Sequence, residues 1–239
     1  AIELVNEPVQ ANPFALKVGQ ILEQVEAVYR VCHELAPQTR VMINFFSEWE
    51  GFYGRSSLFP PRPKQLISMR QFLDLCRQRG IDFDLIGLQC HTYWDLFEAV
   101  RVVRRWHDDY GVPIHITEIA TPSSAGCDLP RVTQRGGGAR PGLPPARHWH
   151  EPWSEALQAE WLEQFVTLFF SLPGVEAATI WGVGEANLWA DYFEGHPNLA
   201  YDLAWMAHQG LLRADWTPKP GYDRLLSLAQ KWGISGGTK

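Results

Sequence analysis

The stretch AIELVNEP, residues 1–8, decides how the chain is read. Ile2, Leu4 and Val5 give it the apolar character of a short buried strand. Asn6-Glu7-Pro8 ends it, because proline removes a backbone donor and forces the chain to turn. The strand therefore finishes on a carboxylate, and its meaning depends on which strands join it.

Four more short apolar runs follow, at Val41–Phe46, Leu85–Cys90, Ile114–Glu118 and Ala178–Gly182. Helical patterns separate them. Leu16–Leu35 carries a stripe of Ile21, Val25, Val28, Val31, Cys32 and Leu35, and Pro37 stops it. Leu66–Arg79 repeats the pattern and ends at Gly80, a natural C-terminal cap. Asp95–Tyr110, Glu155–Leu172 and Lys219–Trp232 complete the set. Strand, helix, strand, helix implies right-handed crossovers and a parallel sheet, covered on both faces by helices. Residues 121–152 form a long Gly/Pro-rich excursion after the fourth run, too long for a simple connection.

Bulk properties exclude several functions. A net charge of −6 argues against a nucleic-acid partner, which needs clustered Lys and Arg. No apolar run reaches the ~20 residues that span a bilayer; the longest, FVTLFFSLPGVEAATIWGVG, is broken by Pro173, Gly174 and Glu176. Cys32, Cys76, Cys90 and Cys127 are too far apart for a zinc pair and read as small apolar residues, Cys127 in a loop. His148-Trp149-His150-Glu151 alternates possible ligands, but no third anchored ligand accompanies the two histidines, so no metal or other cofactor is expected. The 11 tryptophans suit both cores and sugar rings.

The polar residues collect at the strand ends: Asn6-Glu7, Asn44, Gln89-Cys90-His91, Thr117-Glu118 and Trp181-Gly182. In parallel α/β folds catalytic groups gather at the carboxyl ends of strands. Glu7 and Glu118 then face one mouth. Paired carboxylates are the machinery of glycoside hydrolysis, one protonating the leaving oxygen and the other attacking or activating water. Tyr93 and Trp94 either extend a sugar platform or cap the helix that follows.

The motifs IELVNEP, LIGLQCH, IHITEI and TIWGVGEANLW, with the closing GLLRADWTPKPGYDRLLSLAQ, resemble in order and spacing those of glycoside hydrolase family 10, whose main activity is endo-β-1,4-xylanase. The resemblance implies that Glu7 is the acid/base and Glu118 the nucleophile of a retaining reaction. It implies that Asn6 binds the sugar 2-hydroxyl, that Gln89 and His91 contact sugar and nucleophile, and that Trp181 and Trp189 stack on sugars. Asn44, which ends the second strand, is counted with the substrate-binding residues. The implied partner is a xylan-like polysaccharide, and the implied location of the full-length protein is outside the cell.

The sequence departs from the family pattern at Ala120, where an acidic residue usually partners the histidine. It departs again at Asn44-Phe45-Phe46, where Asn-Asp-Tyr is usual, and at Glu185 and Leu188, where Asp and Ser are usual.

A (β/α)₈ barrel has eight strands. In the family the Asn-Glu-Pro motif closes the fourth, so the expectation is a partial TIM barrel holding strands 4 to 8 with their helices. Residues 1–239 are read as one N-terminally incomplete domain. Expressed alone, such a chain is expected to be poorly stable and inactive on xylan. Two other readings stay open: a related barrel glycosidase acting on another β-glycan, and a non-catalytic carbohydrate-binding barrel.

Overall fold

The computed structural model describes residues 1–9, 16–45, 67–91, 96–124, 151–185 and 208–234. In chain order the elements are β1 (Ile2–Asn6), α1 (Val18–Leu35), β2 (Val41–Phe45), α2 (Met69–Gln78), β3 (Leu85–His91), α3 (Leu96–Tyr110), β4 (Ile114–Ala120), α4 (Glu155–Ser171), β5 (Val175–Ile180) and α5 (Pro220–Lys231). The strands form one sheet in the order β1-β2-β3-β4-β5, with β1–β2 and β2–β3 parallel. Sequential order with a helix between neighbours is what right-handed crossovers give. Among the described residues no helix is long and apolar enough to cross a membrane.

The chain divides into two compact units. The first holds Ala1–Cys90, Phe97–Glu118 and Phe170–Thr179; the second holds His91–Leu96, Ile119–Phe169 and Ile180–Lys239. The first unit carries almost all of the sheet. Every residue of β2 is buried, as expected of a strand covered on both faces. Phe45 of β2 packs on an aromatic cluster from α2 and α3. Its ring stacks on Trp106 at 6.4 Å and meets Phe72 edge-on, and Trp106 stacks on Tyr110 at 5.4 Å. The Arg70 guanidinium covers the Trp106 face at 4.9 Å. Cys76 and Cys90 are buried free thiols, and burial pushes Cys76 up to about 12.

Local chemistry explains the element ends. α2 starts at Ser68, whose hydroxyl accepts from the Gln71 N–H while the Gln71 side chain accepts from the Ser68 N–H, a capping box. Gly80 follows α2 with φ +70°, the left-handed conformation expected there. β5 begins at Val175 rather than Ala178. Gly174, at φ +87°, turns the chain, and Glu176 is held in the strand by the Arg40 guanidinium at 2.7 Å and by His115. In α1 only Ile21, Leu22 and Val25 are buried. Val28, Val31 and Leu35, the other half of the expected stripe, are exposed because no described residue covers them.

In the second unit α4 supplies the core through Trp161 and Phe165, stacked at 4.0 Å. α5 lies close to α4, where a Cβ on Gly221 would sit 3.1 Å from the Leu162 side chain. Of the excursion 121–152, only residues 121–124 and 151–152 are described. Phe46, Tyr93, Trp94, Cys127, His148, Trp149, His150, Leu188 and Trp189 lie outside the described residues.

Candidate active site

The site is built at the carboxyl ends of β1 to β4, and the shape of β1 is the first cause. Glu3 pairs with Met42, but the next paired residue is Val5, opposite Ile43, and Asn6 then faces Asn44. One extra residue, Leu4, has entered the strand as a bulge. In a regular strand residues 3 and 6 would point to opposite faces. The bulge returns them to the same face, and Asn6 reaches Asn44.

Asn44 is 1% exposed and every polar atom of its side chain is engaged. Its Nδ2 donates to Asn6 Oδ1 at 3.0 Å, and its Oδ1 accepts from Thr117 Oγ1 at 2.7 Å. The bond from β4 to β2 crosses β3 at Gly87, the register partner of Asn44. A Cβ there would lie 2.5 Å from Asn44 Oδ1 and 3.0 Å from Thr117 Cγ2. Glycine is required at this point by volume, since a methyl group would occupy the space the bond passes through.

Gln89 is 2% exposed and divides one amide nitrogen between two neighbours: Nε2 donates to Asn6 Oδ1 at 3.2 Å and to Glu7 Oε1 at 3.0 Å. Asn6 Oδ1 therefore accepts from both Asn44 and Gln89. Two donors on one atom fix which end of the Asn6 amide is oxygen, and turn its NH₂ the other way. Glu7 has φ +52°, rare outside glycine. Such strain costs on the order of 1–3 kcal/mol. The backbone bond from Glu7 N–H to Asn44 C=O at 2.9 Å helps hold it.

Electrostatics tie the carboxylates together. Partial burial raises Glu3 above the ordinary carboxylate range, the charge of Glu118 raises it further, the Asn44 hydrogen bond lowers it, and the charge of Glu7 raises it again. Glu7 at the end of β1 and Glu118 in β4 thus bear on one and the same carboxyl.

The remaining sequence candidates fall as follows. Asn44 and Gln89, expected to touch substrate, are buried and hydrogen-bonded to Asn6, and Gln89 also to Glu7. The His91 backbone closes β3. Trp181 is partly buried, and its N–H donates to Ile119 C=O at 2.9 Å. Ala120 is buried in β4. Sequence reasoning missed Glu3 and Gly87, and read Thr117 only as a polar strand-end residue. Two signals were present: a lone charge in an apolar strand, and a glycine inside another strand.

A second polar cluster lies wholly in the second unit. The Lys219 side chain is fully buried and ion-paired with Glu185, and its Nζ also donates to Ser123 Oγ at 2.8 Å. Ser123 Oγ in turn donates to the His208 carbonyl at 2.6 Å. Burial acts to raise Glu185, but hydrogen bonds from His208 and Lys219 outweigh it and hold the carboxyl below its ordinary range. Burial lowers Lys219 in spite of its partner. Among the described residues no group of three His, Cys, Asp or Glu is placed to hold a metal ion.

Comparisons with known proteins agree with this architecture. The family model described as glycosyl hydrolase family 10 matches residues 1–225. Curated proteins yield no sequence match. Among solved structures the chain is similar to xylanase 10B from Thermotoga petrophila RKU-1 in complex with xylobiose, at 18% identity and TM-score 0.58, covering 97% of this chain and 60% of that one. It is similar to a xylanase from Thermobacillus composti at 19% identity and TM-score 0.54, covering 94% and 61%. It is also similar to a thermostable mutant of a xylanase from Cellvibrio japonicus at 14% identity and TM-score 0.58, covering 94% and 63%. The chain therefore spans about 60% of the length of the xylanase structures it matches.

Proposed function

Because the chain belongs to glycosyl hydrolase family 10 and has the fold of a partial (β/α)₈ barrel, we propose that it carries the catalytic carboxylates of a retaining endo-β-1,4-glycanase acting on xylan. The observation that supports this reading is the family match over residues 1–225, with Glu7 at the end of β1, where Gln89 Nε2 donates to its Oε1 at 3.0 Å, and Glu118 in β4.

In the first step the Glu118 carboxylate bonds to the anomeric carbon while the bond from that carbon to the bridging oxygen breaks. The oxygen takes the Glu7 proton and leaves as an alcohol. In the second step Glu7, now a carboxylate, takes a proton from water. The water oxygen bonds to the anomeric carbon and the bond to Glu118 breaks. Retention requires the two carboxyl groups to stand ~5–5.5 Å apart. The Gln89 bond to Glu7 Oε1 orients the acid. The Asn6 NH₂, turned from its two donors, is available to a sugar hydroxyl. His91, Trp181 and Trp189 complete the proposed sugar-binding set. The full-length protein is proposed to work outside the cell, where its polymer is found.

The test is reducing-sugar release from xylan, β-glucan and mannan by a full-length version, with proton NMR of the first-formed anomer. Xylan cleaved with retention is expected, and Glu118→Ala should lower turnover by roughly 10⁴-fold or more. An inverted product, or activity that survives Glu118→Ala, would overturn the reading. For the 239-residue chain alone, whose sheet ends at β1 and β5, the expectation is weak stability and no turnover. Cooperative melting together with xylan hydrolysis by this chain would refute that.

A second reading is favoured by Ala120, buried where an acidic side chain would partner the histidine. On that reading the barrel binds glycan without cleaving it. Glycan binding that is retained in Glu118→Ala, with no wild-type activity on any of the three polymers, would select it.

A further inference from the structure

We propose that Trp216 is a sugar-stacking platform on the surface of the second unit, a contact for a β-linked glycan chain. The proposal rests on the reading of the protein as one that acts on such a polymer, and not on the roles of Glu7 and Glu118.

The chain reverses through Arg213-Ala214-Asp215-Trp216-Thr217. Leu212 and Pro218 pair as antiparallel neighbours, Arg213 N–H donates to Thr217 C=O at 2.9 Å, and Trp216 N–H donates to Arg213 C=O at 2.8 Å. These bonds fit a three-residue hairpin loop, a type I turn followed by one residue in the left-handed region. Glycine is the ordinary occupant of that last position, since a Cβ is strained there. Here the occupant is Trp216, at φ +67°. Among the described residues Glu7 is the one other non-glycine with a positive φ, and it too stands at a candidate functional site.

Polar contacts hold the strained turn. Arg213 Nη1 donates to Thr217 Oγ1 at 3.1 Å and to Pro218 C=O at 2.7 Å, and its Nε and Nη2 grip the Glu155 carboxylate of α4 at 2.8 and 2.6 Å. Asp215 Oδ1 accepts from the Thr217 N–H at 3.0 Å and from its hydroxyl at 2.6 Å. A turn fixed in this way can impose a conformation that its own residue disfavours.

Burial does not explain the tryptophan. Its side chain is 63% exposed, and glycine would relieve the backbone. The indole is nonetheless supported: its six-membered ring lies against Gly184, where a Cβ would come within 3.0 Å of Cζ3. Val183, the residue before, is exposed as well. A flat apolar surface that is held in place and open to solvent suits the C–H face of a pyranose ring. Holding it before the sugar arrives reduces the freedom lost on binding. Asp215, next in sequence, is an exposed carboxylate that spends only part of its acceptor capacity on Thr217, and the rest can take a hydroxyl at the sugar's rim. A protein partner would call for a broad apolar patch. The neighbours of Trp216 along the turn are instead Arg213, Asp215 and Thr217.

The experiment is ¹⁹F NMR of a full-length version labelled with 5-fluorotryptophan, carrying Glu118→Ala so that the sugar is not consumed, and titrated with xylohexaose. Trp216→Gly and Trp216→Tyr each remove one signal and so assign it. That signal should move and saturate with a dissociation constant on the order of 1 mM, while maltohexaose, whose links are α, leaves it in place. Electrophoresis through a gel containing soluble xylan gives the second readout. Trp216→Gly should lose retention severalfold, and Trp216→Tyr, which keeps a ring, should restore most of it. Glycine suits the backbone of this turn, so the variant keeps the hairpin. If Trp216→Gly does not fold, Trp216→Tyr assigns the signal and the titration decides alone. A Trp216 signal that stays in place at about 10 mM xylohexaose, or that maltohexaose moves equally, overturns the proposal. Retention in folded Trp216→Gly equal to that of its parent overturns it too. A moving Trp216 signal with no hydrolysis of xylan by the wild type would sink the activity alone; hydrolysis with an unmoved signal would sink the platform alone.

Discussion

The cluster around Asn44 and the cluster around Lys219 both bury polar side chains beside carboxylates, but they meet those carboxylates in different ways. Glu3 and Glu7 accept from side-chain amides, those of Asn44 and Gln89. Glu185 is met by an ammonium with no solvent exposure. A neutral amide favours the ionised carboxyl only weakly, so burial first and then the charge of Glu118 prevail, and Glu3 is raised. An ammonium in a dry setting favours ionisation strongly, and Glu185 is lowered although burial works against it. The first arrangement suits groups that must gain and lose protons. The second suits a clamp, which here joins Glu185 after β5, Ser123 after β4 and Lys219 at the start of α5.

The strongest way to break this contrast is Lys219→Met. Removing one partner of a buried pair leaves an uncompensated charge and should cost about 3–5 kcal/mol by urea denaturation. Adding Glu185→Leu should recover much of the loss, since two apolar groups leave no orphan charge. A single-variant loss under about 1 kcal/mol would mean that the clamp is not the locked element described here.

Gly87→Ala comes next. The new methyl meets Asn44 Oδ1 head-on and must break the Thr117 bond or push Asn44 aside. The expected cost is ~1–3 kcal/mol of stability, with the Asn44 and Asn6 side-chain amide signals shifted together. Unchanged amide signals would show that the layer has more room than its geometry allows.

The smallest effect concerns pH. Glu3 is raised in the folded state, so the folded chain binds that proton more tightly than the unfolded chain. Its contribution to stability is full below the ordinary Glu range and is lost as pH rises through the folded value. Glu3→Gln should therefore raise the melting temperature at pH 7 and leave it near wild type at pH 3. The partial exposure of Glu3 keeps the change small. A variant that tracks wild type across the range would remove Glu3 from the proton balance.

Much of this was legible in the sequence. Five apolar runs between helical stripes specified the sheet, and the strand ends pointed to residues 6, 7, 44, 89 and 118. The bulge was not legible. A period of two assigns Glu3 and Asn6 to opposite faces, and nothing local in Ile2-Glu3-Leu4-Val5 marks an extra residue. The roles of Asn44 and Gln89 were legible only in part, since a polar residue at a strand end reads the same whether it meets a sugar or supports the residue that does. β5 was read three residues late because Glu176 interrupts an apolar run, and its partners Arg40 and His115 are remote in sequence. The Lys219 clamp draws its members from residues 123, 185, 208 and 219, which no spacing rule connects.

The central claim is that Glu7 and Glu118 share one catalytic space. The most direct measurement is the distance between their carboxyl carbons in a crystal structure of the full-length protein. The account predicts about 5–5.5 Å, room for an anomeric carbon to be attacked on one side and released on the other. Carboxyl groups more than ~10 Å apart, or directed to opposite faces of the sheet, would contradict it.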